Sequence, residues 1–304
     1  MSIYGIQGKI RPEDLGKTYM HEHLYLDLSR IKGDPDTHYD ATEVVAAELK
    51  DLREKGISTI VEVTNTGMGR DLERMKRIAE ISGMQVIIST GYYKDPFLPD
   101  TVTEETVEAL AKRMVGELNE GIDGSGIRAQ LIAEIGTSKD VMTEMEEKVF
   151  EAAARAHVET GAAISTHTTL GTYALEQLEF FKRFGVDLER VVVGHVDLRC
   201  DLEMHMRIAD TGATLAFDTI GKVNYASDEA RVEHIQKLIE RGYGKQIVLS
   251  QDLTRKSHLK AFGGIGYSYM LDEFLPKLKA AGVDEDWIQH MLVETPVRIL
   301  DRKE

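Results

Sequence analysis

What most constrains this chain is an alternation that runs almost its whole length. Short runs rich in Val and Ile are each followed by a longer stretch with apolar residues at helical spacing. Buried parallel strands appear this way because both of their faces are covered, and the intervening stretches read as amphipathic helices. The pairs are 19–26 with 42–55, 58–64 with 70–81, 85–91 with 103–118, 128–135 with 143–160, 162–168 with 171–184, 190–196 with 200–210, 213–217 with 227–241, and 246–251 with 267–280. Eight consecutive βα units predict an α/β fold, one closed (β/α)8 TIM barrel rather than an open sheet. Gly56, Gly161, Gly185, Gly212 and Gly282 fall just past helical patterns, where positive φ is favoured. Residues 284–300 read as two short helices, the second starting at Thr295-Pro296. No linker or second core interrupts the pattern, so a single domain over residues 1–304 is expected.

Charge and cysteine content narrow the function. With 37 Lys+Arg against 52 Asp+Glu the net charge is −15, the opposite of a nucleic-acid footprint. The single cysteine, Cys200, rules out an intramolecular disulfide and a cysteine-based zinc cluster, so a metal site must use His and carboxylates. No run reaches the ~18 uncharged apolar residues of a membrane span, and residues 1–10 lack a signal-peptide core, so a cytoplasmic location is expected. The Glu-rich stretches 101–110 and 143–148 carry apolar residues at helical spacing and read as solvated helix faces. The expected partner is a small-molecule substrate, with a homodimer as the commonest assembly.

In such a barrel, reactive side chains come from the C-terminal ends of the strands. The first run carries His21-Glu22-His23, and period-two alternation points both histidines to one face, where they can chelate one ion. Glu134 ends the fourth run, His167 the fifth, His195 the sixth and Asp252 the eighth. One tetrahedral ion needs fewer donors than these six, whereas two ions sharing a bridging carboxylate use them all. Buried carboxylates among neutral imidazoles are also costly unless cations compensate them. His38, His157, His205, His234 and His290 sit on helical or loop patterns and read as ordinary; His258 lies on the loop after the eighth run.

Candidate substrate contacts lie on the loops. Tyr92 and Tyr93 follow the third run, and either hydroxyl can reach a substrate carbonyl or cap the barrel. Lys222 follows the seventh run, and Arg255, Lys256 and Lys260 follow the eighth, where barrels often bind phosphate. Gly263-Gly264-Ile265-Gly266 can cradle a phosphate or form a plain turn.

The segments 20–24, 133–138, 165–168, 193–195, 217–222 and 250–252 together resemble the phosphotriesterase-like branch of the amidohydrolase superfamily, and within it the bacterial phosphotriesterase homology proteins. The resemblance implies that His21, His23 and Asp252 hold the more buried ion and His167 and His195 the more exposed one. It puts Glu134 at the bridging position, where the better-known phosphotriesterases and lactonases have a carbamylated lysine and the homology proteins a glutamate. Two divalent ions, Zn2+ best fitting the His-rich set with Mn2+ or Co2+ able to substitute, would make a bridging hydroxide available near neutral pH. Asp252 would act as the catalytic base and then as proton donor to the leaving group. The expected activity is hydrolysis of a small ester, a lactone and specifically a phosphorylated sugar lactone. Phosphoester, phosphotriester or amide hydrolysis in the same site is the alternative, and a non-catalytic metal-binding barrel is a reading of another class.

Overall fold

The computed structural model describes residues 2–302. Eight parallel strands follow one another around a barrel: β1 (Lys17–Glu22), β2 (Ile57–Glu62), β3 (Gln85–Thr90), β4 (Leu131–Thr137), β5 (Ile164–Thr168), β6 (Val191–Val193), β7 (Thr214–Phe217) and β8 (Ile247–Leu249). Each pairs with its chain neighbour from β1 to β8. At the seam between β8 and β1 side chains replace main-chain pairing. The His21 N–H donates to Ser250 Oγ at 3.1 Å, and the Glu22 carboxylate accepts from the N–H groups of Gln251 at 2.7 Å and Leu253 at 3.2 Å.

The strands separate two cores by simple alternation. Ile87 of β3 packs inside the barrel with Met20, Val61, Leu131, Ala163 and Val248, while its neighbours Val86 and Ile88 face the helices. The covering helices are α1 (Thr42–Glu54), α2 (Leu72–Ser82), α3 (Val107–Asn119), α4 (Glu144–Thr160), α5 (Ala174–Arg183), α6 (Leu202–Ala209) and α7 (Asp228–Glu240), followed by the helical residues Met270–Ala280. Thr143 and Glu146 cap α4 reciprocally, satisfying two N–H groups that the helix leaves unpaired. The five predicted helix-ending glycines all have positive φ.

The structure departs from expectation at three places. The predicted run 19–26 starts at Lys17 and ends at Glu22, after which Leu26-Asp27 pairs with His38-Tyr39 in a small ribbon. The run 190–196 shortens to Val191–Val193 because His195 turns out of the sheet at φ 58°. Finally, the two short helices expected over 284–300 form, at Glu285–Gln289 and Thr295–Leu300, but no break separates them. The first is capped by Asp284, and a π-helical turn at His290–Glu294, with helical dihedrals across the junction, joins it to the second. Pro296 has no N–H to donate to the preceding turn, and the wider turn accommodates that loss without breaking the helix. Among the described residues no helix is long and apolar enough to cross a membrane.

Candidate metal centre

At the C-terminal end of the barrel the six predicted side chains meet. His21 lies in the last two residues of β1 with His23 just beyond its end, Glu134 lies in β4 and His167 in β5, and His195 and Asp252 stand past the ends of β6 and β8. The last two adopt left-handed backbone conformations, φ 58° and 52°, at a cost of roughly 1–2 kcal/mol each. Gly194 makes the first of these turns feasible, since a Cβ there would stand 2.2 Å from the Thr166 carbonyl oxygen.

Glu134 is the centre of the arrangement. Its Oε2 faces His167 Nδ1 at 3.2 Å, His195 Nε2 at 3.3 Å and His21 Nε2 at 3.4 Å, and its Oε1 faces His23 Nε2 at 3.4 Å. Asp252 Oδ1 stands 3.3 Å from His23 Nε2 and 3.8 Å from His21 Nε2. Two donor sets that can hold an ion result, His21-His23-Asp252 and Glu134-His167-His195, and a third group joins His21 and His195 to Asp218. A metal ion fits these residues. Nε2 of His21 and Nε2 of His23 are buried without a hydrogen-bond partner, an expensive state unless a cation uses the lone pairs. Bonds of about 2.0–2.1 Å in a tetrahedral site would put neighbouring donors roughly 3.3 Å apart.

The ligand candidates are held from behind. Thr64 Oγ1 lies 2.7 Å from His23 Nδ1, Thr169 Oγ1 3.3 Å from His167 Nε2, and Asp218 Oδ1 2.9 Å from His195 Nδ1. The Gln177 amide donates to the His167 carbonyl at 2.9 Å, and the Asn65 amide to the Glu134 carbonyl at 2.9 Å. Burial drives the Glu134 carboxyl upward, but the charges and hydrogen bonds of His21, His167 and His195 outweigh it and hold it well below the usual range. Burial together with the neighbouring His195 pushes His167 down to about 4. Behind the site, burial lifts Glu22 and Glu62 to about 7 against the hydrogen bonds each accepts, with the charge of Asp252 adding to the rise at Glu22.

A cavity of about 410 Å³ opens above this cluster, floored by Glu134, His167, His195 and Asp252 and lined by Tyr93, Lys222 and Arg255. Of the predicted substrate contacts Tyr92 lies elsewhere: its hydroxyl accepts from Arg113 at 3.1 Å, and it takes no part in the cavity wall. Lys256 and Lys260 also stay out of that wall, Lys260 pairing with Asp272 at 3.5 Å. The glycine segment is a turn, since Gly264 packs on the His258 carbonyl and the Gly266 N–H donates to it at 2.8 Å. Lys32 and Lys94 complete the cavity's basic side and were not singled out in the sequence. Lys32 ends a one-turn helix, Ser29–Lys32, ahead of α1, too short for periodicity to mark a site. His258, left open on sequence grounds, lines the cavity; His157 and His205 bond main-chain carbonyls, as ordinary buried histidines do.

Residues 1–300 match the model of the phosphotriesterase family. The chain belongs to that family. It is 45% identical over 281 residues to the phosphotriesterase homology protein of Escherichia coli (strain K12), covering 92% of this chain and 96% of that one. A crystal structure of the phosphotriesterase homology protein from Escherichia coli, complexed with phosphate in the active site, superposes with a TM-score of 0.92 at 44% identity over 95% of this chain and 99% of that one. The lactonase Lmo2620 from Listeria monocytogenes superposes with a TM-score of 0.94 at 31% identity over the whole of both chains. The N-acetyltaurine hydrolase of Dictyostelium discoideum is 31% identical over 360 residues, 98% of this chain and 97% of that one. This family member is a metal-site hydrolase of small molecules, and its His, Asp and Glu clusters are consistent with a binuclear centre.

Proposed function

We propose that this chain, folded as one barrel domain over residues 1–304, hydrolyses a small ester bearing an anionic group, a lactone and specifically a phosphorylated sugar lactone. The observation that carries this reading is the charge pattern of one cavity in a chain of net charge −15. Lys32, Lys94, Lys222 and Arg255 line its basic side above a floor of metal-ligand candidates. Anions are drawn to such a concentration of charge, and low-dielectric walls strengthen the pull. The Listeria relative is a lactonase, and the Escherichia coli relative holds phosphate in its active site.

In this reading His21, His23 and Asp252 would hold one ion and Glu134, His167 and His195 the other. Two divalent ions, zinc best matching the His-rich donors, would supply Lewis acidity and hydroxide near neutral pH. The protein does the rest. Asp252 accepts the proton of the attacking water and returns it to the leaving oxygen. The Tyr93 hydroxyl, 3.3 Å from His167 Nδ1, stays protonated because burial and the charges of Glu134 and Asp252 raise its pKa, and it donates to the substrate carbonyl. Lys222 and Arg255 grip the anionic group and fix the ring over the floor.

The Escherichia coli and Dictyostelium relatives favour phosphoester or amide hydrolysis as the second reading. A screen of phosphorylated and neutral lactones, phosphoesters and N-acyl amino compounds separates the two, run with metal analysis of wild type and Glu134→Gln. Two equivalents of metal per chain, lost in the variant together with lactonase activity, is the expected result. Turnover of phosphoesters or amides without lactones would replace the first reading by the second.

A further inference from the structure

Asp218 is the one charged group of the cluster to which the mechanism assigns nothing. It follows β7 and is fully buried. Its Oδ1 accepts from the His195 main-chain N–H at 2.9 Å and faces His195 Nδ1 at 2.9 Å, while Oδ2 stands 3.3 Å from His21 Nδ1. On the far side of the two rings, whose centroids are 4.8 Å apart, both Nε2 atoms face Glu134 Oε2. Two imidazoles that serve different ions in the binuclear reading thus stand between the same two carboxylates. Thr64, by contrast, supports His23 alone.

We propose that Asp218 is a positioning residue that couples the two metal sites, so that filling one favours filling the other; this rests on the binuclear reading above. A carboxylate only accepts, so Oδ1 keeps a proton on His195 Nδ1 and leaves its Nε2 lone pair aimed at the site; Oδ2, which has no hydrogen bond of its own, is the acceptor within reach of His21 Nδ1 once that ring is set by an ion. An ion that orders either ring also orders Asp218, and Asp218 then orders the other ring, so the second ion meets a ligand whose orientation is already set. The carboxylate is anchored from behind. The N–H groups of Asp218 and Thr219 donate to Asp197 at 3.3 Å and 3.1 Å, and Asp197 is paired at 2.7 Å with Arg231, itself fully buried.

The test titrates metal-free wild type, Asp218→Asn and Thr64→Val with Mn2+, following heat of binding and the electron paramagnetic resonance of coupled Mn2+ pairs. An asparagine presents one acceptor oxygen and one amide donor, so only one of the two imidazoles keeps its partner. Wild type should fill both sites together, with the pair signal dominant at one equivalent. Asp218→Asn should still bind two equivalents, but stepwise, the ratio of its stepwise constants shifting at least about tenfold toward the singly loaded form. Thr64→Val should bind more weakly while keeping the pair signal. A wild-type ratio in Asp218→Asn overturns the proposal, and so does outright loss of one equivalent at saturating Mn2+, which would make Asp218 a ligand. Should the variant fail to fold, wild type alone decides, because stepwise filling there is equally fatal. Absence of Mn2+ binding to wild type would instead overturn the binuclear reading itself.

Discussion

The ammonium of Lys222 lies against one carboxylate oxygen of Asp252, whose other oxygen faces His23 Nε2 at 3.3 Å. The residue proposed to bind the anionic group therefore also touches the proposed base. Lys222→Met should lower kcat/KM for a phosphorylated lactone by about 10- to 100-fold, the loss of a charge-assisted hydrogen bond worth about 1.5–3 kcal/mol. A neutral lactone with the same ring should lose much less. Equal losses on both substrates would show that Lys222 serves only Asp252.

Adjacent tyrosines make an internal control. Tyr93 lines the cavity, whereas the Tyr92 hydroxyl is taken by Arg113. Tyr93→Phe should reduce kcat about 10- to 100-fold with metal content unchanged, as expected for removal of one donor to a developing oxyanion. Tyr92→Phe should leave kcat near wild type and cost about 1 kcal/mol of stability. Steady-state kinetics on both variants check this, and indistinguishable kcat values would remove Tyr93 from the mechanism.

Gly194 carries the chain past the Thr166 carbonyl with no room for a side chain. Because the obstacle is backbone, it cannot rotate aside, and Gly194→Ala should destabilise by about 3 kcal/mol or more. Gly161 has positive φ, 66°, and open space around its Cβ position, so Gly161→Ala should cost only about 1 kcal/mol. Denaturant midpoints of the two variants measure the difference.

His258 predicts a pH dependence. Burial, then the charge of Lys222, pushes its imidazole down to about 4, and the neutral ring accepts the Thr254 N–H at 3.3 Å. The folded value lies below the unfolded one of about 6.5, so between them the unfolded chain binds more protons. The neutral ring's contribution is complete above pH 6.5 and is lost as pH falls toward 4, amounting to at most about 3 kcal/mol. Urea midpoints across this window should fall more steeply for wild type than for His258→Asn, and parallel curves would count against the assignment.

The barrel was legible from the chain because its cause is local and repeated. Alternate residues such as Val86, Ile87 and Ile88 must serve two cores, and eight such runs separated by helical patterns leave little choice of architecture. The ligand candidates were legible for the same reason: HxH chemistry and strand-end position are both properties of short segments. Boundaries were less so, because His195 leaves β6 through a left-handed turn and a π turn ahead of Pro296 keeps the helix unbroken, outcomes set by packing and main-chain pairing around them.

What only the tertiary structure decided was which side chains share a space. Tyr92 and Tyr93 are neighbours in sequence and part company in space, while Lys32, Lys94, Lys222 and Arg255 come from four separate loops to one cavity. Asp218 stands in a recognisable segment, yet its place beside both His21 and His195 exists only once β1, β6 and β7 converge. Periodicity along a chain reports what each residue must bury, whereas charge and hydrogen-bond partners depend on distances between strands that no local pattern encodes.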